Sequence, residues 1–183
     1  MILEMQMQNL IDITLFHILF ISLYTDLKSG KIYNWVTLPA MAGGLLLNFL
    51  NSGQSGGYVG LLNSGYGILV AIIVFVFPYL IGALGGGDVK LLMAIGALKG
   101  HIFLFYSILA IGVVSFFLSL FVFGLDMMKN YKLSGILNMA VIYFNNNVMV
   151  SNEELKPMLK RNLKFGVSIT FGTIIAYFYL WYR

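Results

Sequence analysis

The chain has 183 residues, of which 60% are hydrophobic and 10% are charged, and its formal net charge is +4. Its mean hydropathy of +0.89 excludes a soluble domain, because a chain of this length cannot bury so much apolar surface. The absence of cysteine excludes disulfides, thiolate metal sites and cysteine nucleophiles, and with two histidines we expect no metal site and no cofactor. The modest positive net charge is more typical of basic loops at a membrane surface than of a nucleic-acid-binding protein, so we expect no nucleic-acid partner.

Six apolar segments predict membrane-spanning helices, because a span needs about 20 mostly apolar residues and strand-like alternation is absent. In chain order the segments are 9–25, 34–50, 65–84, 88–99, 101–124 and 163–182. The fourth covers only about 18 Å of helix, against about 30 Å of hydrocarbon. We therefore predict an all-α, polytopic membrane helix bundle with about six transmembrane helices, which forms one membrane-embedded domain over 1–183 in the lipid bilayer.

The basic residues predict the orientation of the bundle, because lysine and arginine concentrate on the cytoplasmic side. With the N-terminus outside, nine of the eleven basic residues lie inside, and only Lys99 and Arg183 lie outside. The uncharged loop 51–64 is then external. The inner segment 125–162 has an apolar middle that is too short and too rich in asparagine to span, and we expect an amphipathic piece on the inner leaflet.

Two of the seven acidic residues stand out, because the predicted topology puts both at the cytoplasmic edge on different helices. Asp26 ends the first span in LYTDLKSGKIYN, and Asp88 opens the fourth span directly after Gly85, Gly86 and Gly87. Each aspartate also has a purely structural alternative. Asp88, at a helix start, could be a cap without any chemical role, and Asp26, followed by lysines, could be an ion-pair partner without one. Three glycines either admit a closely approaching peptide backbone or form a tight turn.

Two carboxylates brought together share a proton, because both cannot ionise cheaply. The ionised group can then activate water, while the protonated one polarises a peptide carbonyl and later protonates the leaving amine. No nucleophilic triad competes with this interpretation. We expect His17 to make a hydrogen bond between helices, His101 to be a solvated loop residue and Asp12 to be interfacial.

Two motifs resemble those of the type IV prepilin peptidases, which are intramembrane aspartic peptidases. The run 85–88, Gly-Gly-Gly-Asp followed by VKLL, is similar to the GxGD motif of that family. The run 26–34, DLKSGKIYN, resembles its first motif, with Tyr33 where proline is usual. A weaker similarity is the run 164–166, Lys-Phe-Gly, where the family often has Pro-Phe-Gly. The resemblance covers most of the chain.

The resemblance implies that Asp26 and Asp88 form the catalytic pair. The residues that it implies in supporting roles are Gly85, Gly86, Gly87, Lys90 and Asn34. It also implies a substrate, namely a prepilin or prepilin-like protein with a short basic leader before a hydrophobic helix, cut at the cytoplasmic face of the plasma membrane. Because the chain has no cysteine and no room for the methylating domain of larger members, we expect cleavage without methylation. Substrate identity and oligomeric state stay open.

Two alternatives from other functional classes remain at this point. A proton-coupled membrane carrier would use Asp26 and Asp88 as proton-binding sites, whereas a scaffold subunit of a pilus or secretion machine would need neither. Both aspartates are predicted on one side of the membrane, and few polar groups lie within the spans, which disfavours a proton relay. Loss of one aspartate would stop a peptidase and leave a scaffold working.

Overall fold

A computed structural model describes residues 2–51, 57–82, 84–129 and 165–182, and within these ranges the chain forms helices and short connections without strands. The helices are α1 Ile2–Ser29, α2 Asn34–Asn51, α3 Gly57–Leu80, α4 Gly86–Lys129 and α5 Phe165–Tyr182. The prediction of an all-α chain is confirmed for these ranges. The amphipathic piece expected within 125–162 falls almost entirely outside them.

Four helical segments are long and apolar enough to cross a membrane, so by length and composition this is a multi-pass membrane protein. They are Met5–Ser29, Gly57–Leu80, Gly86–Val122 and Phe165–Tyr182. The count of about six spans is not confirmed. The asparagine-containing helix α2 is not among the four. The predicted spans 88–99 and 101–124 form one helix, α4, whose path breaks at Gly100, where φ is 79° and ψ is 179°.

The first part of α4 lies at the centre of the bundle. The side chains that are at most 1% exposed there are Leu91, Leu92, Ala94, Ile95, Ala97 and Leu98. A helix that is buried on every side needs no polar face, which explains why this run carries no charge between Lys90 and Lys99. The segment from Gly86 to the break at Gly100 is about 21 Å long, shorter than the hydrocarbon core.

Glycines let the neighbouring helices approach α4 closely. A Cβ on Gly44 of α2 would lie 2.8 Å from the carbonyl carbon of Ala97. A Cβ on Gly67 of α3 would lie only 2.1 Å from the carbonyl oxygen of Gly96. Close backbone contact through small residues is typical of membrane helix pairs, because lipid supplies no hydrophobic drive for their association.

The outer faces of the helices carry large apolar side chains. Ile73, Phe77 and Leu80 of α3 are 72%, 67% and 73% exposed, and Trp181 of α5 is 73% exposed. A water-soluble protein rarely shows so much contiguous apolar surface. These faces are therefore suited to contact with lipid.

The chain divides into two compact units. One comprises Met1–Val114 and Lys164–Arg183, and the other comprises Ser115–Leu163. In the second unit the structure describes the end of α4. Both polar cavities and the contacts around them lie within the first unit.

Replacing Gly67 by alanine is expected to lower the free energy of unfolding by about 2–3 kcal/mol, because the atoms that the new methyl group meets are backbone atoms of Gly96, which cannot rotate away. The control is Gly65→Ala on the same helix, where an added carbon meets nothing within 4 Å. Thermal unfolding in detergent compares the two. Equal Tm values for both variants would contradict the close packing of α3 on α4.

Candidate active site

Asp26 and Asp88 come together at one end of the helices. Asp26 lies in the last turn of α1, and Asp88 lies in the first turn of α4. Both line one cavity of about 300 Å³, and their carboxylates interact electrostatically. The remaining lining residues are Gly30, Lys31, Ile32, Tyr33, Asn34, Gly85, Gly86 and Gly87. The cavity therefore gathers both aspartate motifs, although they are far apart in the sequence.

The surroundings of Asp26 come from α1 and α5. Its side chain is only 6% exposed, and its carbonyl oxygen accepts the N–H of Gly30 at 2.8 Å. Gly30 has a φ of 62°, the left-handed conformation that commonly ends a helix. Gly166, in the first turn of α5, lies so close that a Cβ on it would be 2.6 Å from Oδ2 of Asp26. The positive end of the α5 dipole thus lies beside the carboxylate, where it stabilises negative charge.

Asp88 caps its own helix. Its Oδ2 accepts the N–H of Gly85 at 3.1 Å, and its own N–H donates to the carbonyl oxygen of Gly85 at 3.1 Å. This arrangement is half of a capping box, so the capping role considered from the sequence is present. A carboxylate has two oxygens with about four acceptor positions, and capping therefore does not exclude a chemical role.

The three glycines before Asp88 pack against atoms of the protein itself. A Cβ on Gly87 would lie 2.7 Å from the carbonyl oxygen of Ile32, and one on Gly86 would lie 3.4 Å from the ring of Tyr79. The left-handed turn between α3 and α4 is made by Gly82, whose φ is 75°. Gly87 thus lets the start of α4 approach the loop after α1, which brings the two motifs together.

Two of the side chains that the resemblance implies in supporting roles are in contact with each other. Lys90 Nζ donates to Oδ1 of Asn34 at 2.8 Å, which joins α4 to the start of α2. Asn34 lines the cavity, and Lys31 adds a positive charge to the same wall. In the part of the chain that is described, no three metal-ligating side chains come together.

A second polar cluster joins α1, α4 and α5 further along the helices. Asp12 forms an ion pair with Lys99 through Oδ1 and accepts the hydroxyl of Tyr177 at Oδ2, at 2.9 Å. The ammonium group of Lys99 also lies over the rings of Phe103 and Tyr177, 5.7 Å and 5.3 Å from their centroids. The sequence predicted an interfacial Asp12 without these partners, because they are distant along the chain.

The two histidines differ from expectation. His17 Nδ1 bonds the carbonyl oxygen of Ile13 at 2.8 Å within its own helix, and no bond to another helix is found for it among the described residues. His101 lies within α4 rather than in a solvated loop, and its Nδ1 lies 2.9 Å from Oδ1 of Asn63. Neither histidine lines the cavity of the two aspartates.

Comparisons with known proteins match the sequence of this chain to a family. The sequence model described as the type IV leader peptidase family matches residues 13–125, a range that includes both aspartates. A preflagellin peptidase of Methanococcus voltae is 33% identical over 80 residues, which is 44% of this chain and 34% of that protein. The chain thus aligns with about a third of the length of that relative. No solved structure gives a significant match. The family model matches more than half of the residues of this chain. The chain therefore belongs to the type IV leader peptidase family.

Proposed function

We propose that this protein is a membrane-embedded aspartic endopeptidase that removes the leader peptide of a prepilin-like protein. The observation that carries the proposal is the meeting of Asp26 and Asp88 at one cavity in a member of a leader peptidase family. Similarity to a preflagellin peptidase supports a substrate of the pilin or flagellin type. The proposal treats 1–183 as one membrane-embedded peptidase domain of the plasma membrane.

The proposed reaction uses one ionised and one protonated aspartate. The ionised carboxylate takes a proton from water, and the water oxygen bonds to the carbonyl carbon of the scissile peptide. The protonated partner donates a hydrogen bond to the carbonyl oxygen and then gives its proton to the departing nitrogen as the C–N bond breaks. No covalent bond to the enzyme forms.

The proposed site faces the cytoplasm, and the N-terminus lies outside. Lys28 and Lys31 lie two and five positions after Asp26, and Lys90 lies two positions after Asp88, whereas Lys99 lies next to the break in α4. Basic residues favour the cytoplasmic side, which supports this orientation. A substrate with a short basic leader and a hydrophobic helix can then present its cleavage site at the boundary between water and lipid.

The test is cleavage by the purified protein in nanodiscs that also contain a prepilin encoded near its gene. We expect the leader and the trimmed pilin as the two products by mass spectrometry, and an unmethylated new N-terminus, since the chain has no cysteine for the methylating site of larger relatives. The double variant Asp26→Asn/Asp88→Asn serves as the inert control. An uncut prepilin at normal membrane insertion would reject the peptidase and favour a carrier or a scaffold.

Lys90 and Asn34 are expected to support leader cleavage through the one hydrogen bond between them, so that their effects on kcat/KM are not independent. Lys90→Met and Asn34→Leu each remove the same exposed bond, and each should lower kcat/KM by about threefold to tenfold. The double variant should lose no more than the worse single variant. Lys28→Met, which removes a contact with the ring of Tyr24, is the matched control. Losses that multiply in the double variant would show that the two residues act separately.

A further inference from the structure

A second polar cavity of about 400 Å³ plays no part in the proposed peptidase reaction. Four helices contribute to its walls, namely α1, α2, α3 and α4. Its polar lining consists of Gln8, Asn48, Asn51, Asn63 and Lys99. Gln8 is exposed, and the other four side chains are partly buried. The amide nitrogen of Asn48 already donates to the carbonyl oxygens of Gly44, Ala97 and Leu98. The polar groups of Asn51, Asn63 and Lys99 favour a polar occupant, because polar groups withdrawn from water need hydrogen-bond partners.

The position of this cavity suits the headgroup region of a membrane. Gln8 and Asp26 are eighteen positions apart on α1, which corresponds to about 27 Å along the helix axis. The hydrocarbon core of a bilayer is about 30 Å thick. Along α4 the two cavities are closer, because Asp88 and Lys99 are eleven positions apart, which is about 17 Å. With the two aspartates at or beneath one surface of the bilayer, the second cavity therefore lies toward the headgroups of the opposite leaflet.

Two lining residues, Lys99 and Asn63, keep N–H donors that their hydrogen bonds within the protein do not use. Lys99 has three N–H groups, and the ion pair with Asp12 accounts for one of them. Asn63 pairs with His101 through Oδ1, so its amide nitrogen keeps two N–H donors. A cluster of amide and ammonium donors is the set that binds phosphate oxygens.

The lining also contains an acceptor. Oδ1 of Asn51 is buried and has no hydrogen-bond partner among the described residues. Lys99 is charged, but its ion pair with Asp12, which lies outside the lining, balances that charge, so the lining and its ion-pair partner together have no net charge to favour a simple anion. A neutral site with donors and a separate buried acceptor matches a zwitterion whose phosphate meets Lys99 and Asn63 and whose ammonium group meets Asn51.

We propose that this cavity binds the phosphoethanolamine headgroup of a phospholipid from the leaflet opposite the two aspartates. The ligand would contact four helices at once and so hold the ends of α2 and α3 against α4. This lipid site is independent of the peptidase reaction, since no lining residue belongs to the cavity of Asp26 and Asp88.

The test is native mass spectrometry of the full-length protein, after exchange into phosphatidylcholine nanodiscs doped with phosphatidylethanolamine or phosphatidylglycerol. We expect one phosphatidylethanolamine to stay bound per chain, with at least tenfold preference over both other lipids. Asn51→Leu should weaken that binding about tenfold, since a hydrogen bond to a charged group is lost. Thr14→Val, which removes an exposed hydroxyl bonded to Leu10 within α1, is the matched control and should bind normally.

Three results would overturn the assignment. Equal retention of phosphatidylglycerol would show that the ammonium group is not recognised. Unchanged binding by Asn51→Leu would remove the acceptor from the site. Displacement of the lipid by inorganic phosphate at the same affinity would show that free phosphate, and not a lipid, is the ligand. Leader cleavage by Asn51→Leu is expected to match the wild type, so a failure of the lipid proposal is distinguishable from a failure of the peptidase proposal.

Discussion

Replacement of either Asp26 or Asp88 by asparagine is expected to lower the rate of leader cleavage by about 10³-fold or more. Each variant removes one of the two groups that move protons in the proposed reaction, and general acid–base groups contribute about 10²–10⁴-fold each. Asparagine keeps the size of the side chain, so the cavity should keep its shape. The measurement is single-turnover cleavage of a prepilin, with membrane insertion of each variant checked by quantitative blotting.

Asp88→Asn separates the capping role of Asp88 from its chemical role. The amide oxygen of asparagine can still accept the N–H of Gly85, so the start of α4 is expected to stay capped. Asp12→Asn is the matched control on α1, since it removes a carboxylate that lies outside the cavity. Cleavage by Asp88→Asn at a rate close to that of the wild type would mean that Asp88 is only a cap.

Gly166→Ala is expected to lower kcat for leader cleavage by about 100-fold while it changes stability little. The added methyl group would lie 2.6 Å from Oδ2, 2.9 Å from Cγ and 3.1 Å from Cβ of Asp26. Oδ2 and Cγ can move by rotation of the side chain, whereas Cβ must give by a few tenths of an ångström, so the carboxylate moves much further than the helices do. A shift of about 1 Å in a catalytic group costs about 10²-fold in rate.

Two other glycines show whether this loss comes from the carboxylate or from the fold. A methyl group at Gly172, six residues further along α5, would lie 2.6 Å from backbone atoms of Ile111, so Gly172→Ala should lower Tm. Gly43→Ala, where an added carbon meets nothing within 4 Å, should be neutral in both respects. A fall in Tm for Gly166→Ala equal to that for Gly172→Ala would contradict a specific effect on Asp26.

The placement of Asp26 and Asp88 at helix ends on one side of the bundle could be predicted from the sequence, because each lies in a short motif beside a turn. Whether the two side chains share one cavity could not. The polarity of the segments put both ends on the same side, and the family resemblance paired them. The predicted boundary between the spans 88–99 and 101–124 coincides with the break at Gly100, where glycine tolerates a φ of 79°, but the chain continues as the same helix, α4. These features depend on the residue types within short stretches of the chain, which can be read from a single sequence.

The contacts that the sequence could not supply all depend on tertiary packing. Gly166 against Asp26, and Tyr177 against Asp12, join the first helix to the last. The motif similarity at 164–166 marked Gly166 as notable but did not identify its neighbour. The predicted number of about six spans is not confirmed either, because the apolar content of a segment does not distinguish a helix surrounded by protein from one surrounded by lipid.

The short central part of α4 bears on the supply of the second reactant in the proposed hydrolysis, which is water. Lipid excludes water, so a scissile bond held beneath the membrane surface beside Asp88 would be dry unless a polar cavity reached it. The segment of α4 before the break at Gly100 is about 21 Å long and is enclosed by protein along 91–98, so it can begin beneath the surface without exposing its polar end to hydrocarbon. The cavity that Asp88 lines would then be open to the aqueous phase. Hydration of the proposed active site would follow from the length of this segment of α4.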